Sequence, residues 1–261
     1  MRLKEPFRRF KAFLIDCDGV IWKGIAPIPS ALEAINELRR SGKVVVFVTN
    51  NSTLSRKGYL EKFKRTGLNV NEKDIFPSSY VTACFLREKT ANDAFVIGEE
   101  GLAEELNHKG IKVVELGNAD YVVVGMDRGL TYWKLAHAFK LIKRGSFFVA
   151  TNRDRTLPTS EGEIPGAGSI VAALEEASGK SPDVEIGKPS PIIFEFVLKE
   201  INVRKEEALI IGDRLETDIR GAKELGAESA LVLTGIAKLE DILRSNIKPT
   251  HVLNTLLDLF E

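Results

Sequence analysis

The chain reads as an α/β protein: a Rossmann-like parallel sheet interrupted by a second, inserted α/β unit. Three observations predict this. Apolar residues occupy consecutive positions in Ala12-Phe13-Leu14-Ile15, Val44-Val45-Val46-Phe47-Val48 and Ala208-Leu209-Ile210-Ile211, as in parallel strands covered on both faces. Each run ends in polar groups, at Asp16, at Thr49-Asn50-Asn51 and at Gly212-Asp213, where open α/β sheets place their chemistry. From about Asn92 a strand–helix alternation starts anew and lasts to about Asp183. The expected division is a core of residues 1–88 and 185–261 and an inserted α/β cap of residues 89–184; 261 residues suffice for both.

After the first strand, Gly19 to Pro29 reads as a hairpin-like flap. Ser30 and Glu33 have capping-box spacing, so a helix is expected over 30–40, ended by Gly42 ahead of the strand to Thr49. A second helix is expected from about Ser55 to Thr66, stopped by Gly67, and a third over 79–88 leads out of the core. In the insertion, strand runs at 95–97, 113–116, 121–124 and 147–150 are spaced by helical stretches at 102–109 and 132–143. A helix over 168–178 and the stretch 179–183 return the chain to the turn Gly187-Lys188-Pro189-Ser190-Pro191, whose prolines open a helix over 192–200. The third apolar run leads to a helix over 218–225 and a late strand and turn over 230–235, and residues 241–244 and 253–260 are expected to pack terminally on the core.

Composition excludes several function classes. Lys+Arg and Asp+Glu are 37 each, so no global field attracts nucleic acid or anionic membrane. No long apolar stretch near Met1 supports a signal peptide or membrane span. Cys17 and Cys84 form neither a metal motif nor a disulfide framework, and a reducing cytoplasm is the expected setting. The absence of glutamine beside 28 % charged residues resembles the composition of heat-adapted proteins. His108, His137 and His251 are scattered and read as packed or surface residues.

The strand ends carry the chemistry. Buried carboxylates without partners are costly, so Asp16 and Asp18 call for a cation, and oxygen ligands suit Mg²⁺. Hydroxyl, amide and backbone N–H groups at Thr49-Asn50-Asn51 suit a phosphate. Asp213 and Asp218 add acid, and Lys188 adds one cation in a rigid turn. The insertion also has polar strand ends, Gly125-Met126-Asp127 and Thr151-Asn152, but no acid pair or glycine-rich phosphate loop.

Asp16-Cys17-Asp18-Gly19-Val20, Thr49-Asn50-Asn51, Gly187-Lys188-Pro189 and Gly212-Asp213-Arg214-Leu215-Glu216-Thr217-Asp218 together resemble, in order and spacing, a haloacid dehalogenase superfamily phosphatase. The segment from Ala150-Thr151-Asn152-Arg153-Asp154 to Pro165-Gly166-Ala167-Gly168-Ser169 narrows the resemblance to the NagD-like branch, with p-nitrophenylphosphatase and phosphoglycolate phosphatase-like enzymes; Arg153 departs from the proline expected there. The resemblance implies that Asp16 attacks phosphorus and that Asp18 protonates the leaving oxygen and then activates water. It implies Mg²⁺ on Asp16, Asp213 and the Asp18 backbone carbonyl, with Asp218 orienting that shell. Thr49, Asn50, Asn51 and Lys188 would hold the phosphate, and Asn152, Asp154 and Arg155 of the cap would select the leaving group. The expected partner is a small phosphorylated metabolite, with a homodimer as an admissible assembly. A superfamily phosphomutase and a non-catalytic phosphate- or nucleotide-binding domain are the alternatives; a dinucleotide oxidoreductase lacks its Gly-x-Gly-x-x-Gly here.

Overall fold

The computed structural model describes residues 1–159 and 162–261. Two parallel sheets organise them. The larger has the spatial order His251–Leu253, Glu228–Val232, Ala208–Gly212, Ala12–Ile15, Val44–Thr49, Ile75–Pro77. Ala12–Ile15 lies at its centre with every residue buried, because helices cover both faces. The chain passes from this strand to Val44–Thr49 on one side and much later to Ala208–Gly212 on the other, and that reversal opens a crevice at the carboxyl ends. The second sheet has the order Val184–Glu185, Phe147–Ala150, Tyr121–Val124, Asp93–Ile97, Lys112–Val114.

The sheets are not separate hydrophobic bodies. One buried apolar cluster contains Leu14, Val46 and Val81 of the large-sheet region together with Leu102, Leu106 and Val149 of the insertion. The helix Ser78–Glu88 joins them, buried along most of its length and packed on the helix Glu100–His108. A second cluster, including Phe13, Trp22, Phe47 and Phe63, fills the opposite face of the large sheet. Among the described residues no helix is long and apolar enough to cross a membrane.

Several local expectations need correction. The helix Pro29–Arg40 has Ile28 at its N-cap and no side-chain cap, so Ser30 and Glu33 form no capping box; Pro29, with its fixed φ and missing N–H, takes the first turn instead. Ile75–Pro77 forms an edge strand, and Thr156–Thr159 pairs with Gly162–Pro165 as an antiparallel hairpin; neither was legible as a strand. The helix Leu239–Arg244 contributes only Ile242 to core packing, against Leu215, Ile219, Leu231 and Ala237, while Leu239 and Leu243 are largely exposed. Leu253, Leu256, Leu259 and Phe260 do pack into the core.

Candidate active site

Asp16 extends the central strand, its N–H donating to Ile211 O at 2.8 Å, and this brings its carboxylate to the crevice. Asp213 follows the neighbouring strand, and its Oδ2 accepts the Ile236 N–H at 2.8 Å. Asp218 enters from the π-helical turn Leu215–Ile219, the kind of widened turn that recurs at functional sites. Its approach requires Gly212, where a Cβ would lie 2.0 Å from the Asp218 side chain. Gly19 is needed likewise: its φ is +84° and a Cβ would meet Asp213 Oδ2 at 2.2 Å.

Carboxylate oxygens of Asp16, Asp213 and Asp218, all three buried, lie within 4.8 Å of one another. Lys188 Nζ, only 3 % exposed, donates to Asp16 Oδ1 at 2.5 Å, to Asp218 Oδ1 at 2.7 Å and to Val48 O at 3.2 Å. One ammonium therefore faces three carboxylates, and the imbalance appears in their proton affinities. Burial raises Asp16 well above the usual carboxylate range despite the opposing pull of Lys188. Burial, and then Asp218, raise Asp213 to about 7. Burial alone would lower Lys188, but Asp16 and Asp218 outweigh it and hold its ammonium protonated. Hard oxygen donors, buried together in excess negative charge, fit a divalent cation such as Mg²⁺. Burial and the adjacent carboxylates push the Cys17 thiol up, so it is no thiolate nucleophile.

Thr49 is buried at the next strand end, where its Oγ1 accepts the Asn51 N–H at 3.2 Å. Asn51 closes an Asx turn on the Thr53 N–H (3.1 Å) and lines the crevice. Asn50 lines the same crevice, but its side chain is engaged within the protein. Its Nδ2 donates to Asp154 Oδ1 and to Lys188 O, each at 2.8 Å, and its Oδ1 accepts the Lys188 N–H at 2.7 Å. Both ends of the amide are thus engaged, so Asn50 braces Lys188 and ties it to the insertion instead of offering its side-chain amide to a phosphate. Asp18 also differs from the metal residues: its Oδ1 accepts the Trp22 indole N–H at 2.8 Å and its carboxylate lies outside the three-acid cluster.

A cavity of about 40 Å³ covers these groups. Asp154, Thr156, Leu157 and Pro158 of the insertion wall it on one side, and Arg214 and Thr217 of the core on the other. Burial raises Asp154, against the lowering effect of the Asn50 hydrogen bond. Asn152 is buried one layer behind, its Nδ2 donating to Asn50 O at 2.8 Å. Arg155 is exposed and off the cavity wall. Arg153, the residue departing from the resembled pattern, pairs with both oxygens of Glu175 at 2.6 and 2.7 Å and with Glu185, stapling elements of the insertion.

Trp22, Lys62 and the hairpin residues Thr156–Pro158 also stand at or beside the site, and no sequence motif marks them. Lys62 sits among Lys57, Lys64 and Arg65 on one helix, and nothing in its spacing separates it from a solvated face. Arg214 and Thr217 belong to the segment Gly212-Asp213-Arg214-Leu215-Glu216-Thr217-Asp218 and line the cavity.

Residues 13–112 match a family model described as haloacid dehalogenase-like hydrolase, and residues 185–259 one described as HAD-hydrolase-like. A 4-nitrophenylphosphatase of Schizosaccharomyces pombe is 35 % identical over 289 residues, covering 99 % of this chain and 96 % of its own. The solved structure of a p-nitrophenyl phosphatase from Archaeoglobus fulgidus superposes with a TM-score of 0.92 at 40 % identity, over 96 % of this chain and 98 % of that one. A glycerol phosphate phosphatase from Mycobacterium tuberculosis, solved in complex with magnesium, gives 0.90 at 32 % identity over 99 % and 79 %.

Proposed function

The chain belongs to the haloacid dehalogenase-like hydrolases and is a phosphatase acting on small phosphate monoesters, and from this premise we propose a Mg²⁺-dependent hydrolysis through an aspartyl-phosphate on Asp16. The observation that carries the proposal is Lys188, bridging Asp16 and Asp218 inside the buried three-carboxylate cluster. The ammonium orients the nucleophile and offsets charge where phosphate and carboxylate must approach. Splitting hydrolysis into attack by Asp16 and attack by water replaces one difficult displacement with two easier ones.

Asp16 and Asp213 would hold the metal together with the Asp18 backbone carbonyl, and Asp218 would align them while retaining Lys188. When bound, the cation supplies neutralisation of charge on the phosphoryl oxygens and keeps both raised carboxylates ionised. Thr49 and the backbone around Asn51 would cradle the phosphate. Asp18 would protonate the leaving oxygen and later take a proton from water. Residues 89–184 act as the cap: the hairpin Thr156–Thr159/Gly162–Pro165 roofs the site, which favours small leaving groups and excludes bulk water. The relatives named for 4-nitrophenyl and glycerol phosphates agree with that size class.

Rapid acid quench with phosphate-labelled 4-nitrophenyl phosphate and Mg²⁺ tests the reading. Label recovered on the peptide bearing Asp16 supports it; label on another residue, or none during turnover, rejects it.

A further inference from the structure

Asp18 is gripped by two groups that belong neither to the carboxylate cluster nor to the phosphate cradle. Trp22, whose side chain has no solvent exposure, donates its Nε1–H to Asp18 Oδ1 at 2.8 Å. Lys62 Nζ lies 3.6 Å from the same oxygen and 4.1 Å from the centroid of the Trp22 ring. Carboxylate, indole and ammonium therefore form a closed triangle. The indole is itself fixed, edge-on to Phe63 with centroids 4.9 Å apart, and the Gly19 N–H donates to Trp22 O at 2.8 Å. Asp18 Oδ2 receives no hydrogen bond or ion pair among the described residues, and Asp18 lines the cavity.

We propose that Trp22 and Lys62 are positioning residues for Asp18: they anchor Oδ1 so that Oδ2 carries the proton to the departing oxygen. The inference rests on Asp18 as the proton-transfer residue. A carboxylate held at neither oxygen rotates freely, and proton transfer falls steeply once donor and acceptor leave hydrogen-bond reach. Lys62 acts twice, on the oxygen directly and through the face of the ring that supplies the other donor. Neither side chain lines the cavity, so the effect is expected in the chemical step and not in substrate binding.

The test uses leaving-group dependence in the full chain with Mg²⁺. 4-Nitrophenolate departs with little help from an acid, whereas 4-methoxyphenolate needs a proton, and kcat/KM for each ester reports steps up to departure of the phenol. Trp22→Phe removes the N–H and keeps an aromatic ring; Lys62→Met removes the charge and keeps the stem. Each is expected to lose about tenfold more kcat/KM on 4-methoxyphenyl than on 4-nitrophenyl phosphate, with KM within about twofold and with Lys62→Arg recovering most of the loss. Lys62 is partly exposed, so its variants carry the test if Trp22→Phe does not fold. Asp18→Asn is measured beside them. If it is selective and the Trp22 and Lys62 variants lose equally on both esters, the positioning role is overturned and the acid stands. If Asp18→Asn shows no selectivity, the acid assignment itself fails and the inference falls with it.

Discussion

Replacing Lys188 by Met keeps the length and most of the volume of the side chain and removes the one positive charge bonded to Asp16 and Asp218. With Lys188 3 % exposed, little solvent is available to screen the carboxylates left behind. Removing one partner of a buried ion pair typically costs about 3–5 kcal/mol. The loss has a ceiling, because a carboxylate can escape repulsion by taking a proton. At about 1.36 kcal/mol per pH unit above the ordinary value of 3.8, that escape costs about 2 kcal/mol at pH 5.5 and about 6 kcal/mol at pH 8. The sign follows from linkage. A carboxylate whose folded pKa is raised holds a proton that the unfolded chain has released, so stability is full below 3.8 and is lost as pH climbs toward the raised value. Lys188→Met in chelator is therefore expected to lose about 3–5 kcal/mol relative to the parent at pH 8, roughly 10 °C in Tm, but at most about 2 kcal/mol at pH 5.5, where Asp213, raised to about 7, already holds a proton in the parent. Differential scanning calorimetry of both proteins at the two pH values measures this. A Tm deficit that is equal at both, or absent, would refute the argument that Lys188 balances this cluster.

Asp16→Asn is expected to fold and lose turnover, since the amide is nearly isosteric but cannot attack phosphorus; phosphate release above about a hundredth of the parent rate, free of deamidation, would exclude Asp16 as nucleophile. Exhaustive chelation is expected to abolish activity and Ca²⁺ to inhibit through its larger, looser shell, whereas full activity in chelator would end the metal assignment. Because Asp213 is raised to about 7, protons compete with metal below that pH, so the gain in Tm on adding Mg²⁺ is expected to be larger at pH 8 than at pH 5.5, and the reverse order would contradict it. A shortened chain joining residue 88 to residue 185 retains every core motif but would bare the face of Ser78–Glu88 that packs on Glu100–His108. It is expected to aggregate or bind a hydrophobic dye, and a monomeric, cooperatively melting product would show that the two units are energetically separable.

What the sequence alone determined was set by local pattern. Ala12–Ile15, Val44–Thr49 and Ala208–Gly212 are legible because strands buried on both faces require uninterrupted apolar runs, and their ends announce Asp16, Thr49 and Asp213. The hairpin over the site was not legible: Leu157 and Ile164 stand alone among threonines, glutamate, glycine and two prolines, and only pairing across the turn makes them strands. Tertiary structure also decided what each polar atom does. Asn50 sits in a phosphate-like motif, yet its amide meets Asp154 and Lys188, residues 104 and 138 positions away, and a buried amide takes whatever partners the fold presents. Trp22 lies four residues from Asp18, but the approach of Lys62 from the helix Arg56–Thr66, which completes the grip on that carboxylate, follows from the packing of Trp22 against Phe63 and has no signature along the chain.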